Sequence, residues 1–521
     1  MIVGIDLGTT NSSIAFYDGK ESHIIPNQRG NRYTPSVVRF LDDGTVIVGE
    51  SAANMLQIDP SHTLAGVKRF IGRRYNEVFD IARTAPYEVT VGDNNLATFV
   101  VRGQEYLPQT VSALILKALK QSAEAYLGVP VKEAVITVPA YFDEAQLKAT
   151  REAGLIAGFD VKRILREPIA AALSYREIFK NRYIRLAVVD LGGGTFDVTI
   201  LERASVDGEC QFEVLSISGD GFLGGDDFDT YISAWIAAEI AQNHGVDVSK
   251  DALAWQRVIE VAKQTKHDLS SAQNVLIRLP FLTVRNNPPI SVELVLTQQK
   301  LEMVCEELFW RLRAPCHDAL RASGLKPKEI DEVVLVGGTT RIPHCKAVFH
   351  DVFGRIPRTL INPQDAVALG AAVQAGVLGG KIKDFLLLDV TPHSIGIGDA
   401  EGRFVKLIER DSTIPIKTSH VFTTSINGQS SVEIQVVEGE NSHIADNRLL
   451  GRIVLDGIPP APAGIPQIEI TVDIDQNWSQ RIVVKDKATG REQKMVIRTA
   501  TGVSSDTLRS LRDNLPDIQT T

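Results

Sequence analysis

Gly4-Ile5-Asp6-Leu7-Gly8-Thr9-Thr10 recurs in the middle of the chain as Val188-Val189-Asp190-Leu191-Gly192-Gly193-Gly194-Thr195-Phe196-Asp197. In both copies apolar residues lead into an Asp, and a glycine turn then leads into a second apolar stretch. Because glycine lacks a Cβ atom, such a turn lets phosphate oxygens approach the backbone N–H groups, and the adjacent Asp can hold a hydrated Mg²⁺. One copy alone is equally compatible with an ordinary glycine hairpin. The two copies together predict a duplicated phosphate-binding clamp.

Composition excludes several classes of protein. The chain has 521 residues, which at roughly 150 residues per domain predicts three domains. Apolar residues make up 44%, and no apolar run approaches the ~20 residues of a membrane span. The first residues lack the features of a signal peptide, so we expect a cytoplasmic protein. A net charge of −9 argues against nucleic-acid binding. Without CxxC spacing, the cysteines predict buried apolar positions rather than a zinc site or disulfides; they are Cys210, Cys305, Cys316 and Cys345.

Residues 1–380 alternate short β-like runs with long amphipathic stretches, which indicates layers of sheet and helix. The two glycine turns lie near the starts of the two halves of this region. We therefore expect two pseudo-symmetric lobes with a nucleotide between them. Strands are predicted at 2–6, 12–17, 134–138, 186–190, 196–202, 212–217 and 332–336, and helices at 109–127, 143–157, 168–178, 227–243, 251–269 and 298–322.

The pattern changes after about residue 380. Asp384-Phe385-Leu386-Leu387-Leu388-Asp389 places four apolar residues between two acids, where an interdomain linker is ordinarily polar. We expect this segment to dock as an added strand in one state and to be exposed in another, the alternative being a plain buried strand. Alternating runs such as Ile468-Glu469-Ile470-Thr471-Val472 then predict an all-β sandwich, and Ser504 is a candidate helix cap. The predicted segments are 1–380, a linker at 381–391, a sandwich at 392–503 and a helix start at 504–521.

Three further motifs carry competing interpretations. Gly219-Asp220-Gly221-Phe222-Leu223-Gly224 fits the GxGxxG pattern, but a long helix follows it instead of a strand ending in an acid, so we reject a dinucleotide fold. A Walker A sequence is absent from the chain. Gly337 and Gly338 follow another apolar run and precede Arg341, whose guanidinium can stack on a purine. Glu167 either complements the dipole of the helix it begins or orders water near a metal.

Taken together, these segments resemble the 70-kilodalton heat-shock protein family, and DnaK-type bacterial chaperones most closely. The resemblance covers nearly the whole chain. It implies a two-lobed α/β nucleotide-binding domain of the actin and sugar-kinase fold, a duplicated ribonuclease-H-like architecture, followed by an all-β sandwich that binds peptides. The matching motifs are at 4–11, 138–142, 167–168, 190–197, 223–229, 384–389 and 445–447.

The resemblance assigns roles at the nucleotide site. Lys68 would stabilise charge on the γ-phosphate and orient the attacking water, near which Asp197 would lie. Asp6 and Asp190 would hold hydrated Mg²⁺ with Glu167 in its outer sphere, and K⁺ is a further candidate ion. Thr195 completes the predicted catalytic set of Lys68, Glu167, Asp190 and Asp197. The residues that would contact ATP or ADP are Gly8, Thr9, Thr10, Asn11, Gly192, Gly193, Gly194, Gly224, Gly225, Lys266, Ser270, Gly337, Gly338 and Arg341.

The resemblance also implies a peptide site and an allosteric relay. The peptide site would be formed by Ile397, Ala400, Phe422, Ser425, Val432 and Ile434. The relay would run through Pro139, Arg163, Leu386, Leu387, Leu388 and Asp389, with a J-domain partner received near the first two.

Three features depart from the family pattern. Lys263 stands where the family usually has a glutamate beside the adenosine. Ala400 stands where DnaK-type chaperones have a methionine, so less apolar surface would cover a bound peptide. The helical lid is missing apart from a first turn or two. We therefore expect rapid peptide exchange even in the ADP state.

These inferences predict an ATPase that acts as a molecular chaperone on extended apolar segments of unfolded proteins. Its expected partners are a J-domain co-chaperone and a nucleotide-exchange factor. We expect it to bind neither nucleic acid nor a membrane. A small-molecule, sugar-type kinase on the same nucleotide fold is the first alternative, although it gives the linker and sandwich no role. A nucleotide-gated holdase or co-chaperone with little turnover is the second.

Overall fold

Each copy of the duplicated motif forms a hairpin in one of two mixed β-sheets of this computed structural model. Ile2–Asp6 pairs antiparallel with Asn11–Tyr17, and Ile184–Leu191 pairs antiparallel with Phe196–Val206. In both sheets the first strand of the hairpin also pairs in parallel with a later strand of the chain. The two copies therefore occupy equivalent positions in two sheets of similar topology, which we call the first and second sheets.

The structure describes residues 1–180, 182–206, 209–282, 284, 287–383, 385–475, 478–496 and 503–519. Asp384, which begins the predicted linker motif, lies outside the described residues. The boundaries predicted at 503 and 521 also fall beside or within parts of the chain that are not described.

Both large sheets have six strands. In spatial order the first contains Asp160–Arg166, Glu133–Val138, Ile2–Asp6, Asn11–Tyr17 and Ser22–Ile25, with Thr34–Pro35 also paired to Asn11–Tyr17. The second contains Glu332–Val336, Ile184–Leu191, Phe196–Val206, Glu209–Asp220, Phe385–Val390 and Thr413–Ile414. Smaller sheets are formed by Val38–Phe40, Val46–Val48 and Thr63–Leu64, by Glu88–Val91, Ala97–Val101 and Gln104–Tyr106, and by Asn274–Leu282 and Ile290–Thr297.

Helices pack around the two large sheets. The single helix predicted at 298–322 is wrong, because the chain forms three shorter helices there. Pro315 has no N–H to bond the carbonyl of Arg311, which disfavours a continuous helix across the second break. The described α-helices are Glu50–Ala53, Phe79–Thr84, Pro108–Leu127, Glu144–Ile156, Glu167–Ser174, Gly225–His244, Ala252–Asp268, Gln298–Val304, Glu306–Arg311, Arg313–Ser323, Pro343–Phe353, Ala366–Leu378 and Ser505–Asp513.

Two four-stranded sheets after residue 390 pack together as a sandwich. Ile468–Ile474 shows why: its apolar residues alternate with polar ones, and every second side chain is buried. The buried residues of the sandwich belong to the same contacting cluster as the core of the first sheet. The two sheets are Phe404–Ile408, Ile395–Gly398, Ser431–Glu438 and Arg448–Asp456, and Ile416–Phe422, Ile468–Ile474, Gln480–Asp486 and Glu492–Val496.

Candidate functional site

A cavity of about 540 Å³ lies where the glycine turns of the two large sheets face each other. Most of the predicted nucleotide-site residues line it. Gly194, Gly224 and Asp197 are not among its lining residues, although the first two lie directly beside it. The predicted residues that line the cavity are Asp6, Gly8, Thr9, Thr10, Asn11, Lys68, Glu167, Asp190, Gly192, Gly193, Thr195, Gly225, Lys266, Ser270, Gly337, Gly338 and Arg341.

The glycines allow the two turns to approach each other. A Cβ atom on Gly193 would lie 1.9 Å from the Thr10 hydroxyl oxygen, and one on Gly224 would lie 2.5 Å from the backbone of Gly193. Neither position therefore tolerates a side chain without movement. The Thr10 hydroxyl is buried and has no hydrogen-bond partner among the described residues. A hydroxyl without a partner, next to glycine N–H groups that no side chain covers, suits a ligand that carries acceptor oxygens, such as a phosphate.

Acidic side chains from both sheets surround one buried lysine. The Lys68 ammonium lies 2.5 Å from a Glu167 carboxylate oxygen, and both side chains are less than one-tenth exposed. Burial raises the pKa of Asp6 to about 7, with a further contribution from Glu167, and burial also raises the pKa of Asp190 well above its usual value. The positive charge of Lys68 acts to lower the pKa of both carboxyl groups. The site therefore holds more acid than its cation balances, as a site for Mg²⁺ requires.

Asp197 lies on the far side of the Thr195 turn, where it lines a second cavity of about 590 Å³. Thr195 lines both cavities. The backbone N–H groups of Tyr141 and Ala140 act to lower the pKa of Asp197, but burial, which is the larger effect, raises that pKa to about 7. Asp197 therefore lies beside the backbone that follows Pro139, which is buried and also lines this second cavity.

The lining of the nucleotide cavity also includes several basic residues. Lys266 is buried and pairs with Asp229 at 2.7 Å, and its ammonium donates to the Gly225 carbonyl. Lys263 and Lys266 lie on the same helix, Ala252–Asp268, and Ser270 follows it. Lys263 lines the cavity, so the lysine that replaces the family's usual glutamate does face it. The Arg341 guanidinium donates to the Asn362 side chain at 2.8 Å.

Several residues that bridge the lobes were not predicted. Arg69, which follows Lys68, donates to Asp227 at 2.9 Å, and Asp227 lies within the family motif at 223–229. The Tyr33 hydroxyl donates to Asp365 at 2.6 Å, and Tyr33 lines the cavity. No local pattern marks Tyr33, because its partner is more than 300 residues away. Asp229, the partner of Lys266, ends a motif that the sequence did single out.

The apolar segment after residue 384 is docked as a strand. Phe385–Val390 pairs in parallel with Glu209–Asp220, and Leu387 lies opposite Phe212. Leu386 is exposed, whereas Leu387 and Leu388 are half-buried. Asp389 is buried, and its carboxylate lies 3.5 Å from Arg166. Arg163, half-buried nearby, is electrostatically coupled to Asp389, although burial is the main cause that lowers the pKa of Arg163.

The sandwich contacts a helix that packs on the first sheet and a strand of the second sheet. Arg448 forms an ion pair with Asp143, which caps the helix Glu144–Ile156. On the other side, the Arg410 guanidinium donates to the carbonyl of Ile217 at 3.0 Å, and the Ile217 N–H donates to Asp411 at 3.2 Å. The docked strand is therefore one of several contacts that hold the sandwich against the rest of the chain.

The predicted peptide-site residues fall into two groups. Ile397 and Ile434 are buried in the sandwich core, and Phe422 and Val432 pack partly against it. Ala400 and Ser425 are exposed in the turns that follow the strands Ile395–Gly398 and Ile416–Phe422. The second group thus lies outside the core, and their part in binding a peptide stays a prediction.

The predicted start of a helical lid at 504–521 is helical only over Ser505–Asp513. Ser504 caps this helix by accepting from the Thr507 N–H. Pro516 follows the helix, and Ile518 forms a parallel bridge with Val46 of a small sheet. The helix packs against Glu144–Ile156 rather than continuing over the sandwich.

Within the described parts of the chain, no helix combines the length and the apolar character that crossing a membrane requires. A family model described as "Hsp70 protein" matches residues 2–519. The match includes both glycine turns, the docked strand and the sandwich.

Proposed function

The chain belongs to the Hsp70 family of chaperones, and from that premise we propose that it is an ATPase whose nucleotide state controls the affinity of its sandwich for extended apolar peptides. The observation that carries the proposal is the strand Phe385–Val390, which extends the same sheet that carries the Asp190 turn. A change in the relative position of the two large sheets alters the surface on which this strand docks. ATP binding therefore favours one docked arrangement, and hydrolysis releases it.

The residues of the cavity fit Mg²⁺ and ATP. Glycine backbone and the Thr10 hydroxyl suit phosphate oxygens, and the acids Asp6 and Asp190 would hold the ion. Both acids would hold the ion through water; among the described residues, no group of three or more His, Cys, Asp or Glu side chains that could hold a metal is found. Bound Mg²⁺ would neutralise phosphate charge. K⁺ is a further candidate ion for the same site.

The protein's own residues supply the remaining chemistry. Lys68 offers a buried positive charge to the phosphoryl group that is transferred, and Asp197 orients the attacking water from the side of the second cavity. Glu167 holds Lys68 in place when no phosphate is near. Such positioning and charge neutralisation provide most of the catalysis in phosphoryl transfer. Lys266 and Arg341 hold the adenosine end.

The function is tested by measuring ATP turnover of the full chain alone, with an unfolded apolar peptide, with a J-domain protein, and with sugars. Stimulation by peptide and J-domain protein supports the proposal, and Asp389→Asn should abolish that stimulation because it loosens the docked strand. Stimulation by a sugar, with phosphate transferred to it, would indicate a small-molecule kinase instead. ATP binding without hydrolysis in a single-turnover assay would indicate a nucleotide-gated holdase. A cytoplasmic location and an exchange factor remain predictions.

A further inference from the structure

Arg166 is a fully buried arginine that lies one residue before Glu167. It ends the strand Asp160–Arg166 of the first sheet, and its side chain is 2% exposed. Burial lowers its pKa, although an arginine stays charged in proteins. A buried guanidinium is costly unless carboxylates and hydrogen-bond acceptors surround it. The groups around Arg166 are therefore informative about its role.

Three parts of the chain contact this guanidinium. Its Nε lies 3.5 Å from a carboxylate oxygen of Asp389 in the docked strand. The ring of Trp478, from the sandwich, lies over it with 4.3 Å between the ring centroid and Cζ. Its Nη1 donates a hydrogen bond to the carbonyl oxygen of Ala140. Two of these contacts exist only while the strand and the sandwich are docked.

The Ala140 contact leads to Asp197. The carbonyl of Ala140 accepts from Arg166, and the backbone of Ala140 and Tyr141 borders the Asp197 carboxylate, which lines the same cavity as Pro139 and Tyr141. Arg166 thus fixes the short backbone segment that borders the carboxylate. Asp197 also interacts electrostatically with Arg166 across this segment.

Trp478 is held in an unusual conformation to make its contact. Its φ is +64°, in the left-handed region that bulky residues rarely adopt, and its side chain is 7% exposed. Such a conformation persists only when the surrounding structure compensates for its cost. Here the indole covers the guanidinium and excludes water from it, which strengthens the Arg166–Asp389 and Arg166–Ala140 interactions.

We propose that Arg166 is a positioning residue for ATP hydrolysis, which holds Asp197 in place through Ala140 and is itself held by Asp389 of the docked strand and Trp478 of the sandwich. The inference rests on the proposed ATPase function. Docking then acts on hydrolysis through a single guanidinium. A loss of either docked contact leaves Arg166 free to release the backbone carbonyl.

The test uses the full chain, with single-turnover hydrolysis at saturating ATP and the dissociation constant for ATP measured separately. Arg166→Met should lower the hydrolysis rate by about tenfold, the typical effect of losing one charged hydrogen bond, and change ATP affinity by less than about twofold. Arg166→Lys should recover part of the rate because it keeps the charge and a donor. Asp389→Asn and Trp478→Leu should each lower the rate, with no further loss when either is combined with Arg166→Met.

Arg448→Met is the matched control. It removes the ion pair between the sandwich and the residue that caps the helix Glu144–Ile156, and among the described residues the Arg448 side chain donates hydrogen bonds only to Asp143 and Gly72. Its hydrolysis rate should stay within about twofold of wild type. A wild-type rate in Arg166→Met, or full additivity with Asp389→Asn, overturns the inference.

If Arg166→Met shows no cooperative thermal transition, Asp389→Asn and Trp478→Leu carry the test, because both retain Arg166. Wild-type hydrolysis rates in both then overturn the inference. A wild-type protein that hydrolyses no ATP would instead refute the proposed function. The two failures are therefore distinguishable.

Discussion

Replacing Lys68 by Met tests the assignment of the catalytic centre. Lys68 is the cation that opposes the raised pKa values of Asp6, Asp190 and Asp197. Its side chain is 6% exposed, so solvent screens its charge very little. Methionine has a similar length and no charge, so the substitution removes the electrostatic contribution and retains most of the packing.

The expected magnitude follows from this burial. Removing one preorganised charged donor from a water-excluded site costs about 10²–10³ in kcat, which corresponds to about 2.7–4 kcal/mol. Affinity for ATP should change much less, because the glycine turns and Lys266 hold the rest of the nucleotide. The apo protein should also be less stable, since Glu167 loses its partner at 2.5 Å.

Lys266→Met provides the matched control for this substitution. Lys266 is also buried, pairs with Asp229 at 2.7 Å and lines the same cavity. We expect Lys266→Met to weaken ATP binding by roughly tenfold or more and to leave the single-turnover rate constant for hydrolysis at saturating ATP nearly unchanged. Isothermal calorimetry and quenched-flow hydrolysis measure the two effects separately. Wild-type turnover in Lys68→Met, or the same loss of turnover in both variants, would refute the assignment.

Three further predictions concern the sandwich and the C-terminal segment. Ala400→Met should slow release of an apolar peptide from the ADP-bound protein by about tenfold if its added methylenes cover the peptide, as fluorescence anisotropy would measure; an unchanged rate would contradict the placement of Ala400 over the peptide. Ile518→Asp should detach the segment from the small sheet and speed hydrogen exchange of the Val46 amide, which donates to a carbonyl in that segment; unchanged protection there would contradict the contact. Burial raises the pKa of Glu152 from 4.5 to about 7, so the folded state binds the extra proton and the free energy of unfolding should fall as pH rises from about 4.5 to 7, by up to about 3 kcal/mol. Glu152→Gln should flatten that slope in urea titrations, and equal slopes in both proteins would be evidence against it.

Local chemistry explains why the first part of the site was predictable. The Asp6 and Asp190 turns are defined by glycines and apolar neighbours within ten residues, so their hairpins could be read from the sequence. The Lys68–Glu167 pair joins residues 99 positions apart and was not predicted, although the family resemblance placed both residues at the nucleotide site. Arg166 and Trp478 were not singled out, because neither has a local pattern that reveals its partner. Asp197 was predicted near the attacking water, yet its place in the second cavity was not.

The sequence by itself determined the two glycine turns, the alternation that builds the sandwich, and the apolar segment Phe385–Val390. Those features depend on backbone freedom and on which face of each strand is apolar, and both are set by neighbouring residues. Only the tertiary structure decided that this segment pairs in parallel with Glu209–Asp220, and that Ile518 ends against Val46. It also placed Arg166 between Asp389 and Trp478. Such partners are chosen by packing and charge between residues far apart in the chain, about which a local pattern carries no information.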